Sequence, residues 1–386
     1  MLAVLCPGQG AQTPGFLTPW LDVSGFGEQV DAWSPFAGFD LMHTGTTADA
    51  NVVDTAIAQP SLVAAGLASA KVIGPFPAAT VLVGHSVGEI TAAGVAGAYD
   101  ADAALAFARE RGRAMAAAAA LQPSGMTAIL GGDPQEVTAA VAAAGCWIAN
   151  YNAAGQLVAG GSKDSLARLA AAPPSGARLR PLQVAGAFHT PLMQPAQDAL
   201  TQAGVGVPTG ALQHPIVSNA DGREITATDE LQPRLLAQIT APVRFDSCVE
   251  TLKALGVTAT VELAPGGVLT AIIRRALPDV SAVALRTPDD LDEARMLISS
   301  FTDEVGDVLS VGWRLVVAPA SGTLMRSDTV DGASVYPSEQ LALVTQRSGS
   351  VSVAIPVPGE LVEWLVEDGD PVHEGQPLAR IAPAGL

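Results

Sequence analysis

Val81-Leu82-Val83-Gly84-His85-Ser86-Val87-Gly88-Glu89 constrains the fold of this chain more than any other stretch. An apolar, β-branched run ends abruptly in Gly84-His85-Ser86-Val87-Gly88, and helix-forming residues follow from Glu89 to Ala98. The pattern predicts a strand, a tight turn and a helix, with Ser86 at the tip. Glycine on both sides lets the backbone bend sharply and lets a ligand reach the hydroxyl, which is how a nucleophilic serine is exposed at the end of a strand. The helix behind Ser86 points its N-terminal N–H groups at the site and favours developing negative charge there. The five-residue motif alone is weak in a glycine-rich chain. The strand before it and the helix after it give it weight.

The flanking sequence agrees with such a layer. Short apolar strands (Leu2–Cys6, Thr80–Val83) alternate with helical stretches near 55–72, 89–98 and 101–121, which predicts a parallel-sheet α/β core of the α/β-hydrolase-like type. Pro123-Ser124-Gly125 breaks the pattern. Residues 123–187 then read strand, helix, strand, strand, helix, strand, the order of a split βαβ, ferredoxin-like subdomain. The core resumes at 188 and runs to 301. In 302–386, Pro319, Gly322, Leu324, Gly332, Val335 and Leu341 recur as Pro356, Gly359, Leu361, Gly369, Val372 and Leu378, every offset being 37. Six positions sharing one offset predict an all-β domain of two repeats, with its boundary near the acidic run Asp303, Glu304 and Asp307.

Composition excludes several functions. A net charge of −18 argues against nucleic acid and anionic membranes as partners. No apolar run is expected to approach the ~20 residues of a membrane span, and no basic leader precedes Leu2, so a cytoplasmic location is expected. Three widely spaced cysteines (Cys6, Cys146, Cys248) predict neither a disulfide framework nor a metal site.

A serine nucleophile needs a base, and the chain has five histidines. His43 falls in a loop, His373 in the repeat domain, and His214 before Pro215 reads as structural. His85 adjoins Ser86, but neighbours at a sharp turn point apart. His189, just after a strand in Gly186-Ala187-Phe188-His189-Thr190-Pro191, stands where α/β sheets build sites, though a lone histidine is more often structural. No acid stands out as a third member, and a backbone carbonyl can orient the imidazole instead. Ala104, Phe107, Ala108, Arg111 and Met115 share one helical face, capped by Asp100 or Asp102, so Arg111 turns inward while Arg109 and Arg113 do not. An inward arginine needs an anion: either a protein carboxylate or that of a ligand.

Together these residues resemble the malonyl-CoA:acyl carrier protein transacylase family. The matching pieces are Pro7-Gly8-Gln9-Gly10-Ala11-Gln12, Gly84-His85-Ser86-Val87-Gly88-Glu89, Arg111-Gly112-Arg113-Ala114-Met115, Asn150-Tyr151-Asn152, Phe188-His189-Thr190-Pro191-Leu192-Met193, Ala241-Pro242-Val243-Arg244 and Glu262-Leu263-Ala264-Pro265-Gly266. The resemblance covers 1–301. It implies transfer of malonyl from malonyl-CoA to the phosphopantetheine thiol of an acyl carrier protein, feeding fatty acid synthesis, without metal or cofactor. It implies Ser86 as nucleophile, His189 as base, Arg111 as clamp on the malonyl carboxylate, and backbone N–H groups of Gln9 and Val87 as the oxyanion hole. His85, Met115, Asn152 and Phe188 would line the substrate site, the Phe188 ring filling the volume of an α-methyl group. The backbone carbonyl of Arg244, where the family usually has Gln, would orient the histidine. Arg274 and Arg275 are expected to form a basic rim for an acidic carrier protein.

The repeat domain 302–386 resembles a biotinyl/lipoyl-type carrier domain, a β barrel-sandwich. Its hairpin would fall at Arg347-Ser348-Gly349, with Ser348 where the modifiable lysine belongs. The chain's lysines are Lys71, Lys163 and Lys253, so neither biotin nor lipoate is expected, and a docking or oligomerisation role remains. Two other readings of the whole stay open: a polyketide acyltransferase or serine thioesterase on the same elbow, and a non-enzymatic assembly subunit.

Overall fold

The computed structural model describes all residues except 49–50, 310–313, 328, 338, 347–348, 356–357 and 384–386, and the backbone alone at 302–309, 314 and 383. The chain forms two compact units, Met1–Phe301 and Thr302–Leu386. The acidic run at the expected boundary is helical, part of Leu291–Leu309.

Strands of the first unit are β1 (Leu2–Cys6), β2 (Thr80–Gly84), β3 (Ser124–Gly131), β4 (Trp147–Ala153), β5 (Gln156–Ser162), β6 (Ala177–Pro181), β7 (Ile216–Val217), β8 (Glu224–Ile225), β9 (Val243–Arg244), β10 (Ala259–Glu262) and β11 (Ser281–Ala284). The larger sheet runs β11-β10-β1-β2-β7-β8 and is parallel except at β8. β1 is apolar throughout because both sheet faces are covered. Leu2, Val4 and Cys6 join one core and Ala3 and Leu5 the other, the two-residue alternation of a strand.

Helices Thr55–Ile73 and Ala101–Ala120 pack against each other on one face. Asp100 caps the second, accepting from Ala103 N at 2.7 Å. Thr55–Ile73 corrects one expectation: at 19 residues it is long and apolar enough to cross a membrane. Its sequence is apolar all round because it is a core helix, buried over most of its length.

The smaller sheet runs β6-β3-β5-β4-β9. Its first four strands are antiparallel, with helices Pro134–Ala143 and Lys163–Ala171 completing the split βαβ order. β6, the last strand of that order, stops at Pro181. Nothing local announced β9, which pairs parallel with β4 and ties this sheet to the core segment around Arg244.

Among the described residues of the second unit, eight strands form two four-stranded sheets. The repeat is structural: Leu324 and Leu361, Val335 and Val372, and Leu341 and Leu378 are all buried. Gly332 and Gly369 both have positive φ, +83° and +88°, which favours glycine. Strands Gln340–Gln346 and Gly349–Ala354 pair with Gln346 opposite Gly349, while Arg347 and Ser348 lie outside the described residues.

Candidate active site

β2 ends at Gly84 and the next helix, Gly88–Val95, begins two residues past Ser86. Ser86 has φ +55°, a left-handed conformation rare outside glycine. A Cβ on Gly84 would meet Glu89 N at 2.1 Å, and one on Gly88 would meet Cys6 O at 2.1 Å, so the turn closes only with glycine at both places. Asn219 clamps both limbs: its Oδ1 accepts from Ser86 N at 2.8 Å and its Nδ2 donates to Gly84 O at 2.7 Å.

His189, also left-handed at φ +58°, places Nε2 2.7 Å from Ser86 Oγ. Its Nδ1 lies 2.8 Å from the backbone carbonyl of Gln238. A carbonyl only accepts, so Nδ1 carries the proton and Nε2 is left to accept from the Ser86 hydroxyl. Burial, and then the positive Arg111 beside it, push the His189 pKa down to about 3. The imidazole is therefore neutral and able to take a proton at ordinary pH. The orienting carbonyl is not that of Arg244. Gln238 follows the helix Leu231–Ala237, where carbonyls lack intrahelical partners and can face a side chain. Arg244 instead pairs with Asp246 through two 2.9 Å bonds and stacks over Tyr151.

Arg111 is among the largest fully buried side chains. Its Nη1 donates to Gln59 Oε1 at 2.8 Å, and its Nη2 to Gln238 Oε1 at 2.7 Å; Nη2 also lies 3.4 Å from Ser86 Oγ. No carboxylate pairs with it among the described residues, and its Nε has no partner. Two amide oxygens aim the guanidinium without neutralising it. The nearest compensation comes through Gln238, whose Nε2 donates to Glu89 Oε2 at 2.5 Å. Burial raises the Glu89 pKa to about 7, opposed by the Asn219 N–H and by Arg111, while burial lowers that of Arg111 to about 10.

These groups back a cavity of about 380 Å³, lined by Ser86, His189, Phe188, Met115, Gln9 and Val87 among others. The backbone N–H groups of Gln9 and Val87 donate to nothing among the described residues. A Cβ on Gly8 would meet His85 O at 2.4 Å, so glycine lets this loop close on the elbow. His85 Nε2 lies 3.0 Å from Asn152 Oδ1, and both residues face the cavity. The two rim arginines part company: Arg275 lines the cavity, whereas Arg274 Nη2 donates to Ala282 O at 2.7 Å. His214 lies on a different cavity. Among the described residues no group of three or more His, Cys, Asp or Glu is placed to hold a metal ion.

Sequence reasoning missed Gln59, Asn219, Gln238 and the role of Glu89. The one available signal was a polar residue in an apolar setting, as at Gln59 in Ala56-Ile57-Ala58-Gln59-Pro60.

A family model described as the acyl transferase domain matches residues 4–296. The malonyl CoA-acyl carrier protein transacylase of Mycobacterium tuberculosis is 45% identical over 298 residues, covering 76% of this chain and 99% of that one. Residues 1–301 belong to the malonyl-CoA–acyl carrier protein transacylase family. The Escherichia coli K12 member is 33% identical over 304 residues, covering 76% of this chain and 98% of its own. The crystal structure of MCAT from M. tuberculosis superposes with TM-score 0.73 at 44% identity, covering 76% of this chain and 99% of that one. A malonyl-transacylase solved with its type II PKS acyl-carrier protein superposes with TM-score 0.71 at 30% identity, covering 77% and 99%.

Proposed function

We propose that this transacylase-family protein transfers malonyl from malonyl-CoA to the phosphopantetheine thiol of an acyl carrier protein, feeding fatty acid synthesis. One observation carries the reading: a buried guanidinium without a carboxylate partner stands 3.4 Å from a serine hydroxyl that is itself 2.7 Å from a neutral imidazole. Such a site is built for an acyl group that ends in its own carboxylate.

Ser86 Oγ attacks the thioester carbonyl as its proton passes to His189 Nε2. The oxyanion is held by the N–H groups of Gln9 and Val87. The intermediate collapses, the C–S bond breaks, and the CoA sulfur leaves with the proton from His189. The carrier thiol then gives its proton to His189 and attacks the malonyl-Ser86 ester; collapse returns the proton to Ser86 Oγ. The imidazolium formed in each half is stabilised by the Gln238 carbonyl. Arg111 holds the malonyl carboxylate throughout. Phe188 and Met115 form the apolar wall beside the acyl group, and His85 and Asn152 hold each other in place on the cavity. The chemistry calls on no metal or cofactor.

The second unit is read as biotinyl/lipoyl-like in build, supported by its 37-residue repeat and its two four-stranded sheets. Without a lysine in 302–386 it carries neither biotin nor lipoate, and it serves docking or oligomerisation.

Intact-mass measurement after incubation with malonyl-CoA tests the central claim. One malonyl group is expected on the protein and none on Ser86→Ala. An adduct on Ser86→Ala refutes the assignment. Rapid loss of the adduct without any acceptor thiol would favour the thioesterase reading.

A further inference from the structure

The four sheets formed by the described residues differ at their edges. An edge strand offers a row of unpaired N–H and C=O groups to any strand that can lie beside it, so proteins shorten their edges or place charge and proline on them. Most edges here follow that rule. β8, β9, Ser334–Val335 and Pro371–Val372 are two residues long, and β11 and Arg314–Val317 are four. β6 has five residues but carries Arg178, Arg180 and Pro181.

Gly349–Ala354, an edge of the second unit, does not follow it. Its six residues, Gly349-Ser350-Val351-Ser352-Val353-Ala354, include neither charge nor proline. One side of the strand pairs antiparallel with Gln340–Gln346, and among the described residues no strand bonds to the other. Val351 and Val353 stand opposite Val344 and Ala342, which are buried, so both face the core. Val353 is buried as well, yet Val351 is still 37% exposed. Ser350 and Ser352, one residue off, lie on the exposed outer face.

We infer that this strand pairs with the same strand of a second copy of the chain, antiparallel and across a two-fold axis through Val351, so that two four-stranded sheets join into one of eight. The inference deepens the docking or oligomerisation reading of the second unit and rests on it. Charge selects the occupant. The chain carries a net charge of −18, and residues 302–386 hold twelve Asp and Glu against four Arg, so two copies repel across most of their surfaces. Along this strand they meet without opposing like charges, and no charge on it attracts a basic or an acidic partner. An antiparallel edge is also its own complement, as a two-fold contact requires. An axis through Val351 sets that valine against its copy, both on the core face, and covers the apolar surface each leaves exposed. Ser350 then stands opposite Ser352, and Gly349 opposite Val353. A slip of one residue would set the core face of one sheet against the outer face of the other.

Sedimentation equilibrium on the full chain tests it. The unmodified protein should rise with concentration toward twice the 39.0 kDa of one chain. Ser350→Glu with Ser352→Glu sets two like-charge pairs across the axis and should raise the dimer Kd about tenfold. Ser350→Lys with Ser352→Glu sets Lys opposite Glu twice and should keep Kd within about threefold of the unmodified value. Both variants alter only exposed positions, and both should still take malonyl on Ser86. A chain that stays monomeric overturns the second copy as occupant. A dimer that the Glu pair does not weaken overturns this edge as the interface, and equal weakening by both variants overturns the register. Identical mass and partner recovery with and without 310–386 would instead overturn the docking reading itself.

Discussion

The two units bury different things. The core of the second is apolar throughout, built from Val, Leu, Ile and Ala. Every buried polar or charged side chain among the described residues, including Glu89, Arg111, His189, Asn219 and Gln238, lies in the first. A buried guanidinium and carboxylate joined only through an amide are costly compared with well-packed hydrocarbon. The second unit, repeated and apolar inside, has the build of a scaffold. The first carries a polar network that folding alone would not call for, and the reacting serine stands at the end of it. Local rules broken at one place and kept elsewhere point to chemistry.

The sharpest way to break this contrast is Arg111→Ala. If the network exists to hold a ligand carboxylate, malonyl transfer should fall by ~2–5 kcal/mol in kcat/KM while acetyl transfer changes little. Equal losses for both acyl groups, measured by carrier loading, would make Arg111 a structural residue.

The pH profile comes next. With His189 held at about 3 by burial and by Arg111, kcat/KM should fall less than about threefold from pH 8 to pH 5. An imidazole at its ordinary value of about 6.5 would lose about thirtyfold. Stability has two opposing contributions. Below pH 6.5 the unfolded chain protonates His189 and the folded protein does not, so this contribution is lost as pH falls. Glu89 runs the other way: its folded carboxyl keeps the proton up to about 7, so its contribution is complete below about 4.5 and is lost as pH rises to 7. Glu89→Gln should therefore show a steeper fall in Tm from pH 7 to pH 5 than the unmodified chain. An identical slope would remove Glu89 from the account.

Gln238→Leu keeps the backbone carbonyl on His189 but strands Arg111 and Glu89. A loss of about 1–3 kcal/mol in stability is expected, with reduced preference for malonyl over acetyl. Unchanged denaturant midpoint and selectivity would show the network to be incidental. Phe188→Ser, by freeing volume in the cavity, should relax selectivity toward methylmalonyl-CoA by about 1–3 kcal/mol. Unchanged competition between the two donors would take Phe188 out of specificity.

The smallest effect belongs to the second unit. Removing 310–386, which leaves the helix Leu291–Leu309 whole, should change malonyl transfer to the carrier less than about twofold, an effect under 0.5 kcal/mol. A large loss would tie the scaffold to the chemistry. Partner recovery and solution mass, compared with and without 310–386, test the docking role.

What the sequence determined by itself was local or periodic. The elbow rests on contiguous residues. The inward face of Arg111 follows from helical spacing, and the second unit from a fixed offset of 37. Tertiary structure alone decided who stands opposite whom. Gln238 is 49 residues from His189 and 127 from Arg111, yet its backbone serves one and its side chain the other. Family spacing pointed to the carbonyl of Arg244, but a free carbonyl at a helix end is defined by where that helix stops. Arg274 and Arg275 look alike in sequence, but one residue turns an α-helix by about 100°, so only Arg275 faces the cavity. The buried Gln156 Oε1, which accepts no hydrogen bond among the described residues, has no sequence signature, because lacking a partner is a property of the space around an atom.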